Sequence, residues 1–434
     1  MKTKIVIQQG LLMILSLMLS SNVSAQYTIE ELQKSAQENY PLIDKYSLLE
    51  KSEEFTISNI DRQNLPQVTV VAQATYQSKV TGFPNQMKDI YSQMGIDLKG
   101  LNKDQYKAVV DVNQNIWDGG NISASKNIAK AENEVKVKET NLQIYEINKR
   151  VNDIFFSLLL LNASQKQNEI YRELLNANLE KVKSFVKNGV ALTSDAQMIE
   201  VEILKSEQQL VSIESNKEAF LQMLSLLTGK DIKSSAMLLE PTINEYGFSG
   251  DIKSPELEIF DSRINLLNKR KEEIKASSMP RISAFVQGMY GNPGLNMFEN
   301  MINDKWSWDY IAGLRLQWNI SSLYYKKNRT KILDTDKEII NNQKETFLFN
   351  TNLKISQQQA MILKAEKVLS QDEKIIELRE SIRKSGESKL KNGIIDITDL
   401  LNDISNENLA KTDRILHKTE LLKSIYDLKF TTNN

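Results

Sequence analysis

Cysteine is absent from all 434 residues. That excludes a disulfide scaffold, a thiolate metal site and an acylated N-terminal Cys. Histidine occurs once, as His417, with no metal-ligating cluster around it, and is read as a packed or solvated helix residue. Charge of one sign is also missing. With 55 basic and 56 acidic residues there is no net field to attract nucleic acid, and no long single-sign block. No Walker or dinucleotide glycine pattern occurs. "GNPGLN" (291 to 296) has turn residues and is read as a loop with no helix after it, not a phosphate cradle. Nothing selects a general-acid carboxylate pair. Neither an enzyme nor a cofactor nor a metal is indicated.

Long hydrophobic runs are equally scarce. Residues 1 to 25 carry Lys2 and Lys4, an apolar run from Leu11 to Leu19, and a small-x-small end at Val23-Ser24-Ala25, which predicts a secretory signal peptide cut before Gln26. The run is about half of a spanning helix. "FFSLLLLN" (155 to 162) is too short to span a bilayer and is flanked by Asn152, Asp153, Gln165 and Lys166, so it reads as a wide packed helix face.

Glycine and proline are rare and confined. Residues 121 to 188, 190 to 228, 319 to 385 and 394 to 434 contain neither. These stretches repeat apolar residues at spacings of three and four, as in Leu142, Tyr145, Val151, Ile154, Phe155 and Leu158, and read as helices. At 1.5 Å per residue the first would be a rod of roughly 100 Å. Rods of this length must pack side by side.

Elsewhere the period drops to two. In 67 to 77, Val68, Val70, Ala72, Ala74 and Tyr76 alternate with Gln67, Thr69, Gln73, Thr75 and Gln77, and only Val71 breaks the polar side. Residues 106 to 117, 281 to 290 and 310 to 319 alternate likewise, which predicts a strand in each of the four segments, every one with an apolar and a polar face. Tyr76, Tyr106, Tyr290 and Tyr310 all fall on apolar faces at loop-proximal ends, as an aromatic girdle at one height would require. This pattern fits a transmembrane barrel better than a small sheet on a soluble helical bundle. Known single-chain barrels start at about eight strands, and an open edge cannot be left in lipid. Several chains must therefore contribute, and a homotrimer would give about twelve strands around a polar lumen.

The chain is also an internal repeat. Pro66 matches Pro280, Trp117 in "NIWDGG" matches Trp318 in "LQWNIS", and "KNGVALTSDAQM" (187 to 198) matches "KNGIIDITDLLN" (391 to 402). The expected organisation is signal peptide 1–25, first repeat 26–229, linker or equatorial segment 230–253 and second repeat 254–434. The loops at 81 to 105 and 291 to 309 differ in length and are expected to be exposed tips. Gly189 and Gly393 stand where each rod must reverse, since glycine allows the φ > 0 that ends a helix. Beyond the turns, Asp396 is read as an N-cap with Asp399 early in its helix, and Thr193 or Ser194 as the cap ahead of Asp195. Asp396, Asp399 and Asp403 share one helix face. Capping alone and capping with a pore-facing role are both open.

In order, spacing and duplication, the "LP" before each first strand, "NIWDGG", "KNGVALTSDAQ" and "LLTGKD" resemble the outer-membrane efflux protein family typified by TolC. The resemblance spans 27 to about 430. It implies a mainly α protein with a membrane β-barrel, in which long antiparallel coiled-coil helices form a periplasmic tunnel and four strands per chain build a 12-stranded trimeric barrel in outer-membrane lipid. It further implies export, by efflux or type I-like secretion, with a periplasmic adaptor and an inner-membrane transporter as partners. The turns at Gly189, Asp195 and Gly393 would be the tunnel's far ends and the adaptor contact. The family's constriction carboxylate, six residues after the second-repeat glycine, falls on Asp399. A second carboxylate three residues later is replaced by Asn402, and the arginine of the family's closing lock by Ile395. The alternative is a soluble periplasmic coiled-coil structural or adaptor-like protein, with an unrecognised hydrolase a distant third.

Overall fold

The computed structural model describes residues 26–234, 236–242 and 251–433. The signal-peptide expectation, and part of the 230–253 linker, lie outside them. The described residues fall into two compact units, one drawn from 26–45, 139–257 and 345–433, the other from Tyr46–Lys138 and Glu258–Lys344. Each unit takes residues from both halves of the sequence.

The second unit holds one antiparallel sheet of four strands in the order β2-β3-β5-β6. Chain-order numbering gives β1 (Gln26–Tyr27), β2 (Gln67–Tyr76), β3 (Asp104–Trp117), β4 (Met237–Leu238), β5 (Arg281–Asn292) and β6 (Ser307–Gln317). All four strands expected from alternation are present. The ladders run Val68 opposite Val112, Val112 opposite Val286, and Val286 opposite Ala312, so the even-numbered residues share one face, until a register shift between Asn115 and Trp117 brings Trp117 opposite Ile282. Val71, the one apolar residue on the polar side of β2, stands opposite Val109, a cross-strand pair that accounts for the exception.

The helices in chain order are α1 (Ile29–Asn39), α2 (Lys45–Asp61), α3 (Asn85–Gln93), α4 (Asn121–Tyr145), α5 (Ile147–Lys187), α6 (Thr193–Thr228), α7 (Pro255–Ser277), α8 (Met297–Asn303), α9 (Ser322–Lys391) and α10 (Ile397–Thr432). The first expected rod is interrupted only at Glu146, and α9 is a single helix of 70 residues, roughly 105 Å long. No helix among the described residues is long and apolar enough to cross a membrane.

In the first unit α5 pairs with the returning α6, and α10 lies along α5. Phe155, Phe156 and Leu158, from the apolar octet, are fully buried against α1, α6 and α10, as a packed helix face should be. A parallel bridge joins β1 to β4, a contact that alternation over two residues cannot announce.

The loops depart from expectation. Loop 77–103 contains α3, and α8 follows "GNPGLN" directly, with Asn296 as its N-cap accepting the Glu299 N–H at 3.3 Å. Asn and Gly around a short apolar stretch carry only the turn signal, and a helix of 7 residues is too short to show a periodicity. Nor are the loops simply exposed. Leu98, Leu101 and Met301 are buried, Phe83 lies 6.2 Å from Phe298, and the Gly100 N–H donates to Met301 O at 3.3 Å.

Candidate functional site

Three features could carry function, namely the two helix turns, the seam of the second hairpin and the faces of the sheet. The turns are built identically. At the first, the Gly189 N–H donates to Val186 O at 3.0 Å and the Val190 N–H to Phe185 O at 2.9 Å; at the second, Gly393 donates to Leu390 and Ile394 to Lys389, both at 3.0 Å. This is a Schellman motif in each case, and it needs the left-handed φ of 72° at Gly189 and 68° at Gly393.

The caps then differ. Asp396 is the N-cap of α10, its carboxylate accepting the Asp399 N–H at 2.9 Å. In the first turn the expected cap at Thr193 or Ser194 is not formed, because helix α6 starts one residue earlier and Leu192 occupies the N-cap position. Leucine offers no acceptor. Asp195 instead reaches back from the third helical position and accepts the Leu192 N–H at 2.8 Å, half of a capping box.

Asp399 and Asn402 are exposed and Asp403 is half-buried, on the first two turns of α10. The two tips meet in one apolar cluster that includes Val182, Ile199, Ile397, Leu400 and Ile404. Thr398 Oγ1 lies 3.9 Å from Met198 Sδ.

Behind the second turn the seam is ionic, which the sequence reading missed. Arg383 donates to Glu407 and, at 2.6 Å, to Glu387; Lys411 donates to the other Glu407 oxygen at 2.6 Å. The Glu407 side chain is only 3% exposed. Further back, His417 Nδ1 lies 2.7 Å from Oδ2 of the buried Asp372, so His417 is a bonded seam residue. Counting back 204 positions puts Leu179 where Arg383 stands, Ile203 where Glu407 stands and Ile213 where His417 stands. Charged residues at positions that are apolar in the first repeat were the available signal.

On the sheet, the even-numbered face carries Val68, Val70, Ala72 and Ala74 of β2, Ala108, Val110 and Val112 of β3, and Leu314 and Leu316 of β6. It is bare. Trp308 is 79% exposed, Tyr310 77% and Leu314 74%, far from the burial such side chains have in a core. The odd face carries Gln67, Thr69, Lys107, Asp111, Asn113, Arg281, Gln287 and Arg315, with Arg315 over the Phe285 ring at 4.7 Å.

The four tyrosines all lie on the apolar face but not at one register level. Tyr76 pairs with Asp104, Tyr106 with Asn292 and Tyr290 with Trp308. From each strand to the next the tyrosine therefore recedes two residues further from the loops. Strands of a barrel are inclined to its axis, so a level ring must advance along the strands in one sense in this way. At the loop end, Asp304 accepts from Asn292 at 2.7 Å and Asn102 at 2.8 Å. These two donors hold its carboxyl below the ordinary carboxylate range.

Among the described residues no group of His, Cys, Asp and Glu could hold a metal ion. No protein-family model matches the chain, and no curated protein matches it. Solved structures do. The outer-membrane channel OprN is similar with a TM-score of 0.67 at 13% identity, over 93% of this chain and 89% of its own. The outer membrane protein VceC of Vibrio cholerae gives 0.65 at 13%, over 94% and 96%. The open state of the MtrE outer membrane channel of Neisseria gonorrhoeae gives 0.63 at 11%, over 94% and 89%. The chain thus has the fold of these TolC-like channels along nearly its whole length.

Proposed function

We propose that this protein is an outer-membrane duct for export, by efflux or type I-like secretion, whose four-stranded sheet joins those of two further copies in a closed barrel. One observation carries the reading. The sheet presents an uncovered apolar face, a polar face behind it, and two edge strands, β2 and β6, whose outer sides are unpaired among the described residues. In water such a sheet is an aggregation hazard; in lipid its apolar face is satisfied, but its edges must be paired. Closure by three copies of this four-stranded sheet satisfies both and leaves the polar face around a lumen.

The likeness to outer-membrane channels supports the same placement, with the tyrosine diagonal as one girdle and the long helices as a periplasmic tunnel. On this reading the Gly189 and Gly393 turns, with Asp195, are the ends that meet a periplasmic adaptor, itself joined to an inner-membrane transporter. Asp399, flanked by Asp396, Asn402 and Asp403, occurs once per copy around the axis and forms a carboxylate ring at the constriction. The repeats 26–229 and 254–434 are then two quasi-equivalent staves of one wall, joined through 230–253. The soluble coiled-coil alternative leaves the bare apolar face unexplained.

Fractionation tests the proposal. The protein should sediment with outer membranes, require detergent for extraction and elute as a trimer. A monomer released in soluble form by osmotic shock would overturn it.

A further inference from the structure

The ladder within one chain also specifies how β6 meets β2 of the next copy. Resting on the trimeric barrel proposed above, we infer that Tyr76 of the next copy stands directly opposite Ala312, with Ala74 opposite Leu314 and Ala72 opposite Leu316.

Two independent regularities lead to this register. The first is the diagonal. At each of the three ladders the tyrosine of the later strand sits two residues further from the loops than the ladder partner of the earlier tyrosine. Continuing the step from Tyr310 places Tyr76 of the next copy level with Ala312, and the ring closes at constant pitch. The second is size. Tyr106 is paired with Ala74, Tyr290 with Ala108 and Tyr310 with Gly288, so each tyrosine lies across from a small residue on the preceding strand, where its ring has room to cover the neighbouring backbone. Of the residues on the lipid-facing side of β6, which are Trp308, Tyr310, Ala312, Leu314 and Leu316, only Ala312 is small. The same position answers both rules.

A slip of two residues either way would set Tyr76 against Tyr310 or Leu314. A slip of one residue would turn the apolar face of one copy inward.

The absence of native cysteine makes the test direct. Directly opposite strand residues have Cα atoms about 4.5–5.5 Å apart, within the span of a disulfide. Chains carrying Ala74→Cys with Leu314→Cys are oxidised in outer membranes and run on a denaturing, non-reducing gel. Linked trimers are expected, and no links from Ala74→Cys with Leu316→Cys or with Ala312→Cys. Links from either shifted pair, in a protein that is still trimeric in detergent, would overturn the register and leave the barrel standing. Trimers that link through none of the three pairs would overturn the pairing of β6 with β2. Absence of trimers altogether would overturn the barrel as well.

Discussion

A Cβ built on Gly386 would stand 2.8 Å from Oδ2 of Asp403, with Leu400 Cδ1 at 3.4 Å, so any side chain placed here must push the Asp403 carboxylate aside. The corresponding residues of the first hairpin, 204 positions earlier, are Val182 and Ile199, both buried in the tip cluster. One layer of the same architecture is thus filled by two apolar side chains in one hairpin and by a glycine and a carboxylate in the other. Gly386→Val alone must displace the Asp403 carboxylate and should cost less than the roughly 1–3 kcal/mol of a rigidly overpacked core. Gly386→Val with Asp403→Ile copies the first hairpin and should recover most of that, because residues in contact couple. Urea unfolding of the four variants measures it; additive losses would mean that the two layers are not equivalent.

The ionic seam behind it should behave asymmetrically. Glu407→Ala leaves Arg383 with Glu387 and takes from Lys411 the carboxylate it binds, and is expected to cost about 3–5 kcal/mol, as removing one partner of a buried pair does. Arg383→Leu with Glu407→Ile copies Leu179 and Ile203 and should be neutral or stabilising. The same unfolding curves decide it. A double variant as unstable as the single one would show that the charges set the hairpin register and do not merely fill it.

How much of this was legible in the sequence depends on the range of the interaction. Period two assigned Val68, Ala72 and Leu314 to one face, and the lack of Gly and Pro marked the rods, because both signals are local. The turn at Gly393 was legible for the same reason. Register was not. Alternation says which face Tyr106 and Tyr290 occupy but not which residues they oppose, so the two-residue step of the tyrosines from strand to strand shows only in the ladder. Arg383 and Glu407 lie 24 residues apart on two helices with no shared period; counting outward from Gly393, or aligning the two repeats layer by layer, would have paired them. The cap was misplaced at Thr193 because a good capping residue nearby outranked Leu192, which takes the position through the turn's geometry alone.

The unequal caps predict opposite responses. Asp396→Leu should cost the second hairpin about 1 kcal/mol, and Leu192→Asp should stabilise the first by a similar amount. Thermal unfolding followed by helical signal distinguishes them. Changes of the same sign in both variants would deny that the two turns share one geometry.

Asp304 makes a pH prediction. Its carboxyl titrates below the ordinary range because Asn292, and then Asn102, donate to the charged form. A depressed carboxylate adds stability above its unfolded pKa and loses it as pH falls through the folded value. The packing of loop 77–103 on α8 should therefore hold at pH 5 and loosen only below about pH 4, the ordinary Asp range. Asn tolerates the left-handed backbone found at 304, so Asp304→Asn should abolish that acid transition without unfolding the loops. Fluorescence of Trp306, which lies 6.1 Å from Tyr106 and 5.1 Å from Tyr290, reports it. Loosening already at pH 5 would place the controlling group elsewhere.

If Asp399 forms a ring, like charges held close will bind cations. Single-channel conductance in planar bilayers should be cation-selective and fall on adding divalent or trivalent cations. Asp399→Ala should weaken that block with the trimer intact, and Asp396→Ala or Asp403→Ala should weaken it less. Unchanged block in Asp399→Ala would leave this residue as a helix-start carboxylate and the constriction elsewhere.

On the proposed function, the bare sheet closes with two other copies in a membrane. Imaging of the detergent-solubilised particle at a resolution that separates strands tests it most directly. A three-fold particle with one closed barrel is expected, in which β6 of each chain lies beside β2 of the next and the even-numbered residues face outward to detergent. A monodisperse monomer with edges β2 and β6 free, or an assembly that buries the even-numbered face against protein, would contradict it.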